Sequence, residues 1–250
     1  MPRSEEQHRI WSYLIAGILL ILLWQVIAAL LNSIALPMPL DVFSAFIAGL
    51  SGNLLSHVLV STVRVCYGIA LALSLAIPIG LVSYKDTMDK FITPFIYLLY
   101  PIPHIVLLPL IILLFGIGDL SKVILIALIV FFQILVTTRD AARNISTNYI
   151  YSLLSLGATG KDVYKHVVFP ACLPKILTSL RISVGTAIAV LFFVESFATR
   201  KGLGYLIMDS WSRMDYPDLY AAIVSMALLG LSLYLVLERV EKKLCAWVYV

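Results

Sequence analysis

Charge is scarce in this chain. Of its 250 residues 13% are Asp, Glu, Lys or Arg and 61% are hydrophobic, with a mean hydropathy of +0.99. That balance excludes a soluble domain, in which roughly 25% of residues are charged. Cysteine is also rare. Cys66, Cys172 and Cys245 are odd in number and lack metal-ligand spacing, which excludes a disulfide framework and a zinc site. They read as reduced, small apolar side chains. His8, His57, His104 and His166 are scattered and form no ligand set. There is no Walker A pattern, since Gly160-Lys161 is followed by Asp162 and lacks the earlier glycine. Gly-x-Ser-x-Gly and His-Glu-x-x-His are missing too. No catalytic, cofactor-binding or metal site is therefore expected. The net charge of +4 comes without a basic stripe interleaved with aromatics, so nucleic acid is not an expected partner.

What the chain does have is long apolar runs. Spans are expected at about 10–31, 58–84, 91–115, 120–138, 182–198 and 219–237, each near the ~20 residues that cross a bilayer. With no internal repeat, residues 1–250 read as one all-α membrane domain of about six helices. A signal peptide competes for the first run, because Arg3 and Arg9 precede it and Ser33-Ile34-Ala35 could be cleaved. The run exceeds the usual apolar core of roughly 7–15 residues, and Glu5 and Glu6 dilute the charge before it, so a retained span is expected. Pro37-Met38-Pro39-Leu40-Asp41 followed by Val42, Phe43, Phe46 and Ile47 suggests a short interfacial helix capped by Asp41.

The third run carries Pro94, Pro101, Pro103 and Pro109, so it should be kinked or broken. Irregular backbone at membrane depth is tolerated only where protein or a water-filled cavity satisfies it, which favours a transport path over an anchor. Thirteen of the eighteen Lys and Arg fall on one side if the amino terminus is inside. Both termini and the 139–181 segment are then cytoplasmic. Asn144-Ile145-Ser146 matches a glycosylation sequon but lies on that inner side.

The 139–181 segment is the polar island of the chain. A helix is expected from about Ser146 to Leu156, closed by Gly157, and a second after Thr159, with Asp162 completing a capping box. On a wheel of 100° steps Leu156, Gly160, Val163, Tyr164 and Val167 share one face, and Lys161, Asp162, Lys165 and His166 the other. Val168 and Phe169 break the pattern before Pro170, which is expected to stop the helix.

The spacing of Gly157, nine residues, Val167-Val168-Phe169-Pro170 and then Pro174 resembles the cytoplasmic EAA loop of binding-protein-dependent ABC importer permeases. Tyr151-Ser152-Leu153 stands where that family usually has Glu-Ala-Ala. Pro37-Met38-Pro39, Tyr100-Pro101-Ile102-Pro103, the run from Phe115 to Lys122 and Gly202-Leu203-Gly204-Tyr205-Leu206-Ile207 extend the likeness to the nitrate, sulfonate, taurine and bicarbonate group. The resemblance implies a type I importer permease in the cytoplasmic (inner) membrane. It implies a path for a small solute, most simply an anion of that group, or alternatively a pyrimidine-type vitamin precursor. Implied partners are two cytoplasmic ATP-binding subunits holding ATP and Mg, an extracytoplasmic substrate-binding protein, a second copy of the permease, and membrane lipid. The binding protein would touch residues 32–56 and 199–217. The ATPase-coupling loop would use Leu156, Gly157, Ala158, Lys161, Asp162, Val163, Tyr164, Lys165, Val167, Phe169 and Pro170, with Val163, Tyr164 and Val167 filling the ATPase groove.

Ionisable groups within spans are functional candidates, because a charge at membrane depth costs about 2.5–3.5 kcal/mol. Arg64 could attract an anion or pair between helices. Glu195 suits a structural or gating contact better than contact with an anion. Tyr100, Pro101, Pro103, His104 and Gln133 complete the expected substrate path. Two other classes stay open: a secondary transporter or channel without an ATPase, and an intramembrane enzyme, for which no catalytic pair is visible.

Overall fold

The computed structural model describes residues 2–248 in backbone and the side chains from Trp11 onward. The side chains of Arg3, Glu5, Glu6, His8 and Arg9 lie outside the described residues. The described chain is helical throughout. Helix α1 (Pro2–Leu31) stands almost alone, with nearly every side chain of its apolar part exposed and Trp24 resting on Tyr220 at 5.7 Å between ring centroids. Helix α2 (Pro39–Ser51) is the expected interfacial piece, but Asp41 does not cap it. Met38 holds the cap position with no side-chain capping bond, and Pro39 starts the helix, where a missing N–H costs nothing.

Helices α3 (Leu54–Val82) and α6 (Asp119–Arg143) form the densest pair. They approach so closely that a Cβ on Gly68 would sit 2.5 Å from the Ile126 side chain, and one on Gly80 2.6 Å from Thr138. Between them in sequence lies the broken span. Helix α4 (Asp86–Leu99) and α5 (Leu108–Phe115) are bent by 77°, with a 3₁₀ turn at His104–Leu107 leading into α5. Of the four prolines only Pro101 and Pro103 make the break. Pro94 is absorbed inside α4, and Pro109 sits in the first turn of α5.

Past α6 come α7 (Thr147–Ser155), α8 (Gly160–Val163), a π turn (Tyr164–Val168) and α9 (Phe169–Glu195). The last three form one continuous 36-residue rod. Pro170 therefore does not stop the helix. In the π turn the Phe169 N–H donates to the Tyr164 carbonyl five residues back, and this wider winding admits the proline ring without breaking the axis. The fifth span thus begins well before residue 182, and Cys172, Ile176 and Leu180 are buried. Helix α10 (Leu203–Ser212) is short and outer, and α11 (Tyr216–Leu244) packs on α9, α10 and α2. Among the described residues five helices are long and apolar enough to cross a membrane, or six counting the bent pair as one.

Candidate transport and coupling sites

Three places at the two ends of this bundle carry the chemistry. At the outer end, α3 presents His57, Ser61 and Arg64 at spacings of four and three, hence on one face. Opposite them, α9 ends in Glu195, which is fully buried. Between these walls runs the backbone of residues 201–204. Arg64 Nη1 donates to the Lys201 carbonyl at 2.7 Å and to Glu195 Oε1 at 2.8 Å. The Leu203 N–H donates to Ser61 Oγ and the Gly204 N–H to Glu195 Oε2, at 2.8 and 2.9 Å. The Ser61 hydroxyl in turn lies 2.8 Å from Glu195 Oε2. His57 Nδ1 is 3.0 Å from the Gly202 carbonyl and 3.1 Å from the Gly202 N–H, donating to one or accepting from the other by tautomer. Arg64 turns its other nitrogens on Asp119, with Nε at 2.8 Å from Oδ1.

Only glycine fits at Gly202. Its φ is +118°, and a Cβ there would lie 2.3 Å from the Glu195 carboxyl carbon. The strap is thus laid directly on a buried carboxylate whose charge is met by Arg64 and by hydrogen bonds. Of the two readings of Arg64, the geometry forms the interhelical pair, and Arg64 also edges an outer cavity of about 490 Å³ together with Asp119 and Lys122. Glu195 takes the structural contact.

Toward the inner end a groove of about 520 Å³ opens between the inner half of α6 and that of α9, with Tyr100 at the α4 break on its wall. Tyr100, Gln133, Thr137, Lys175, Thr178, Ser179 and Ser183 supply its polar groups. Gln133 Nε2 donates to Thr186 Oγ1 at 3.1 Å, and Thr178 Oγ1 donates to Glu241 Oε1 at 2.8 Å. Of the expected path residues this groove brings together Tyr100 and Gln133. Pro101 and Pro103 make the break that places Tyr100, without lining the groove. His104 stacks on Phe132 at 4.7 Å instead.

The third place is the inner loop. Ser146 accepts the Asn148 N–H at the start of α7, and Gly157, at φ +85°, closes that helix in the left-handed conformation. Thr159 and Asp162 form the reciprocal capping box, with the Thr159 N–H donating to Asp162 Oδ2 at 2.8 Å. The outward face differs from the wheel. Val163 is buried with Leu81, Ala141, Val168, Cys172 and Ile176, so it cannot fill a partner's groove. Val163 and Val168 are five residues apart, and both point inward because the π turn winds more than four residues per turn. A 100° wheel misplaces Val168 only; it groups Val163 with the half-buried Tyr164 and Val167, but that face turns toward the bundle and not toward a partner. Leu156 is 83% exposed, and Lys161, Lys165 and Phe169 are exposed too. Tyr149, Tyr151 and Leu154 of α7 extend this apolar surface. Sequence reasoning missed them, though three large apolar residues in a short loop helix are a usable signal. It also missed Ser61 and Asp119.

A protein-family model described as "Binding-protein-dependent transport system inner membrane component" matches residues 68–245. The chain belongs to this family. The permease is 34% identical, over 92% of its length and 89% of the other's, to a Methanocaldococcus jannaschii protein named as an ABC transporter permease. It is 30% identical to the taurine transport system permease TauC of Escherichia coli, covering 91% of this chain and 86% of TauC. Identity is likewise 30% with Bacillus subtilis SsuC, named for aliphatic sulfonates transport, over 91% and 84%. Among solved structures, the MetNI methionine ABC transporter in an inward-facing conformation matches with a TM-score of 0.64 at 17% identity, over 76% of this chain and 95% of that one. The fold is that of a type I importer permease, an inner-membrane transport component whose ATP hydrolysis resides on a separate subunit.

Proposed function

We propose that this permease forms the path for a small organic or inorganic anion, of the sulfonate, taurine, nitrate or bicarbonate kind. The observation that carries this reading is the near full-length similarity to relatives named for taurine and for aliphatic sulfonates. Two copies of the chain enclose the path between them. The groove is open along one side, where Ile182, Gly185 and Ala189 of α9 are exposed, and a second copy closes it. Two ATP-binding subunits, carrying ATP and Mg, grip the inner loops through Leu156, Gly157, Lys161, Lys165 and Phe169, with Ala158, Asp162, Tyr164, Val167 and Pro170 shaping the surface. The permease itself holds no cofactor. The extracytoplasmic binding protein docks on residues 32–56 and 199–217, which flank one outer cavity of about 700 Å³ lined in part by Gly49, Asn53, His57, Arg200 and Asp209.

The test is uptake by the permease reconstituted with its ATPase and binding protein. Labelled taurine, ethanesulfonate, nitrate and bicarbonate are compared with a formylaminopyrimidine. ATP-dependent uptake of one of the anionic probes or taurine is expected. Uptake of the pyrimidine alone replaces the anion reading, and transport without any ATPase replaces the importer mechanism.

A further inference from the structure

The inner groove carries one cation and no carboxylate among its lining residues. Lys175 sits one residue after Pro174 on α9, exposed at the groove's inner end, and makes no ion pair among the described residues. The rest of the polar lining is neutral: the Tyr100 phenol, the Gln133 amide and the hydroxyls of Thr137, Thr178, Ser179 and Ser183. Behind the wall lies Glu241, which is 4% exposed, accepts from Thr178 and is 3.5 Å from Arg181. The Arg181 guanidinium stands against that charge.

From this arrangement we infer that Lys175 sets the charge preference of the inner half of the path, drawing anionic solute through and disfavouring cations. The inference rests on the proposed anion reading and gives it a residue. A concave site with low-dielectric walls focuses the field of a single charge, raising the local concentration of counter-ions by about tenfold or more. Lys175 is a specificity-determining group here. It selects by charge and leaves the shape of the solute to the neutral lining.

The experiment reads the groove's potential directly. In the assembled importer in nanodiscs, with Cys66→Ser to remove the exposed native thiol, Ile182→Cys places a thiol on the exposed groove wall. Its reaction rates with an anionic and a cationic methanethiosulfonate reagent are measured. The ratio of anionic to cationic rate is expected to fall about tenfold with Lys175→Gln and to be retained with Lys175→Arg. A ratio unchanged by Lys175→Gln overturns the inference. So does an equal fall in Lys175→Arg, which would make the effect one of packing. The underlying reading fails separately: if the ratio responds as expected while reconstituted uptake accepts only the neutral pyrimidine, the field is present and the solute is not an anion.

Discussion

The two ends of this permease treat irregular backbone in opposite ways. At the outer end, residues 201–204 are held by His57, Ser61, Arg64 and Glu195, and the holding groups are buried. At the inner end, residues 156–162 satisfy their own backbone through the Gly157 turn and the Thr159–Asp162 box, and stay exposed. The outer strap depends on the rest of the bundle, while the inner loop is locally complete and offers its surface to something else. A segment that must be gripped by another protein gains from being self-sufficient before it is gripped. A segment that seals membrane-depth polar groups gains from being fixed on every side.

The largest effect that would break this contrast is at Glu195. Glu195→Ala leaves Arg64 buried against the Lys201 carbonyl with half its countercharge gone, and removes the acceptor for the Gly204 N–H. Breaking a buried pair in this way costs about 3–5 kcal/mol. A marked drop in the thermal unfolding midpoint of the detergent-purified permease is expected, together with faster amide exchange in residues 201–206. Replacing both partners, with Arg64→Met and Glu195→Leu together, should recover part of that loss, because no lone charge remains. If Glu195→Ala unfolds at the native temperature with unchanged exchange, the strap is not held as described.

Gly157 sharpens the contrast from the other side. Nothing lies within 4 Å of a Cβ built there, so a side chain meets only the strain of φ +85°. Gly157→Val should cost about 1–2 kcal/mol locally, and Gly157→Asn distinctly less, since asparagine tolerates the left-handed region. The expected result is a loss of co-purifying ATPase with Gly157→Val, most of it retained with Gly157→Asn, and a nearly native unfolding midpoint in both. Equal loss in the two variants would show that the side chain's bulk, and not the turn, is what the partner meets.

How much of this was legible beforehand follows the same division. The inner loop is encoded locally, so the glycine turn and the capping box could be placed from residue type and spacing alone. The helix beyond them could not. Pro170 reads as a stop to any pattern built on 3.6 residues per turn, and the π turn that admits it also brings Val168 to the core beside Val163. At the outer end His57, Ser61 and Arg64 stand in a visible stripe on α3, yet their partner is a backbone segment some 140 residues away, with no periodicity to betray it. Arg64 and Glu195 were recognisable as costly charges, but only tertiary structure pairs them. Tyr100 and Gln133, which line one groove, could be singled out because a broken span and a mid-helix amide are local signals. The groove that joins them needs α9 to begin early, which the proline obscured.

The smallest expected effect tests whether the inner loop is as self-contained as its hydrogen bonds suggest. Thr159 accepts the Asp162 N–H, and the Asp162 carboxylate accepts from the Thr159 N–H. Thr159→Ala removes one half of that exchange and should cost about 1 kcal/mol. Because α8 runs on into the π turn and α9, fraying here need not spread past Val163, which the inner core holds in place. Amide exchange should therefore quicken at residues 160–163 and stay unchanged from Val168 onward, with Thr159→Ser restoring protection through the same hydroxyl. If exchange instead quickens along α9 as far as the groove, the cap and the path are one mechanical unit. The exposed loop would then be coupled to the solute's surroundings through the rod itself, before any partner binds.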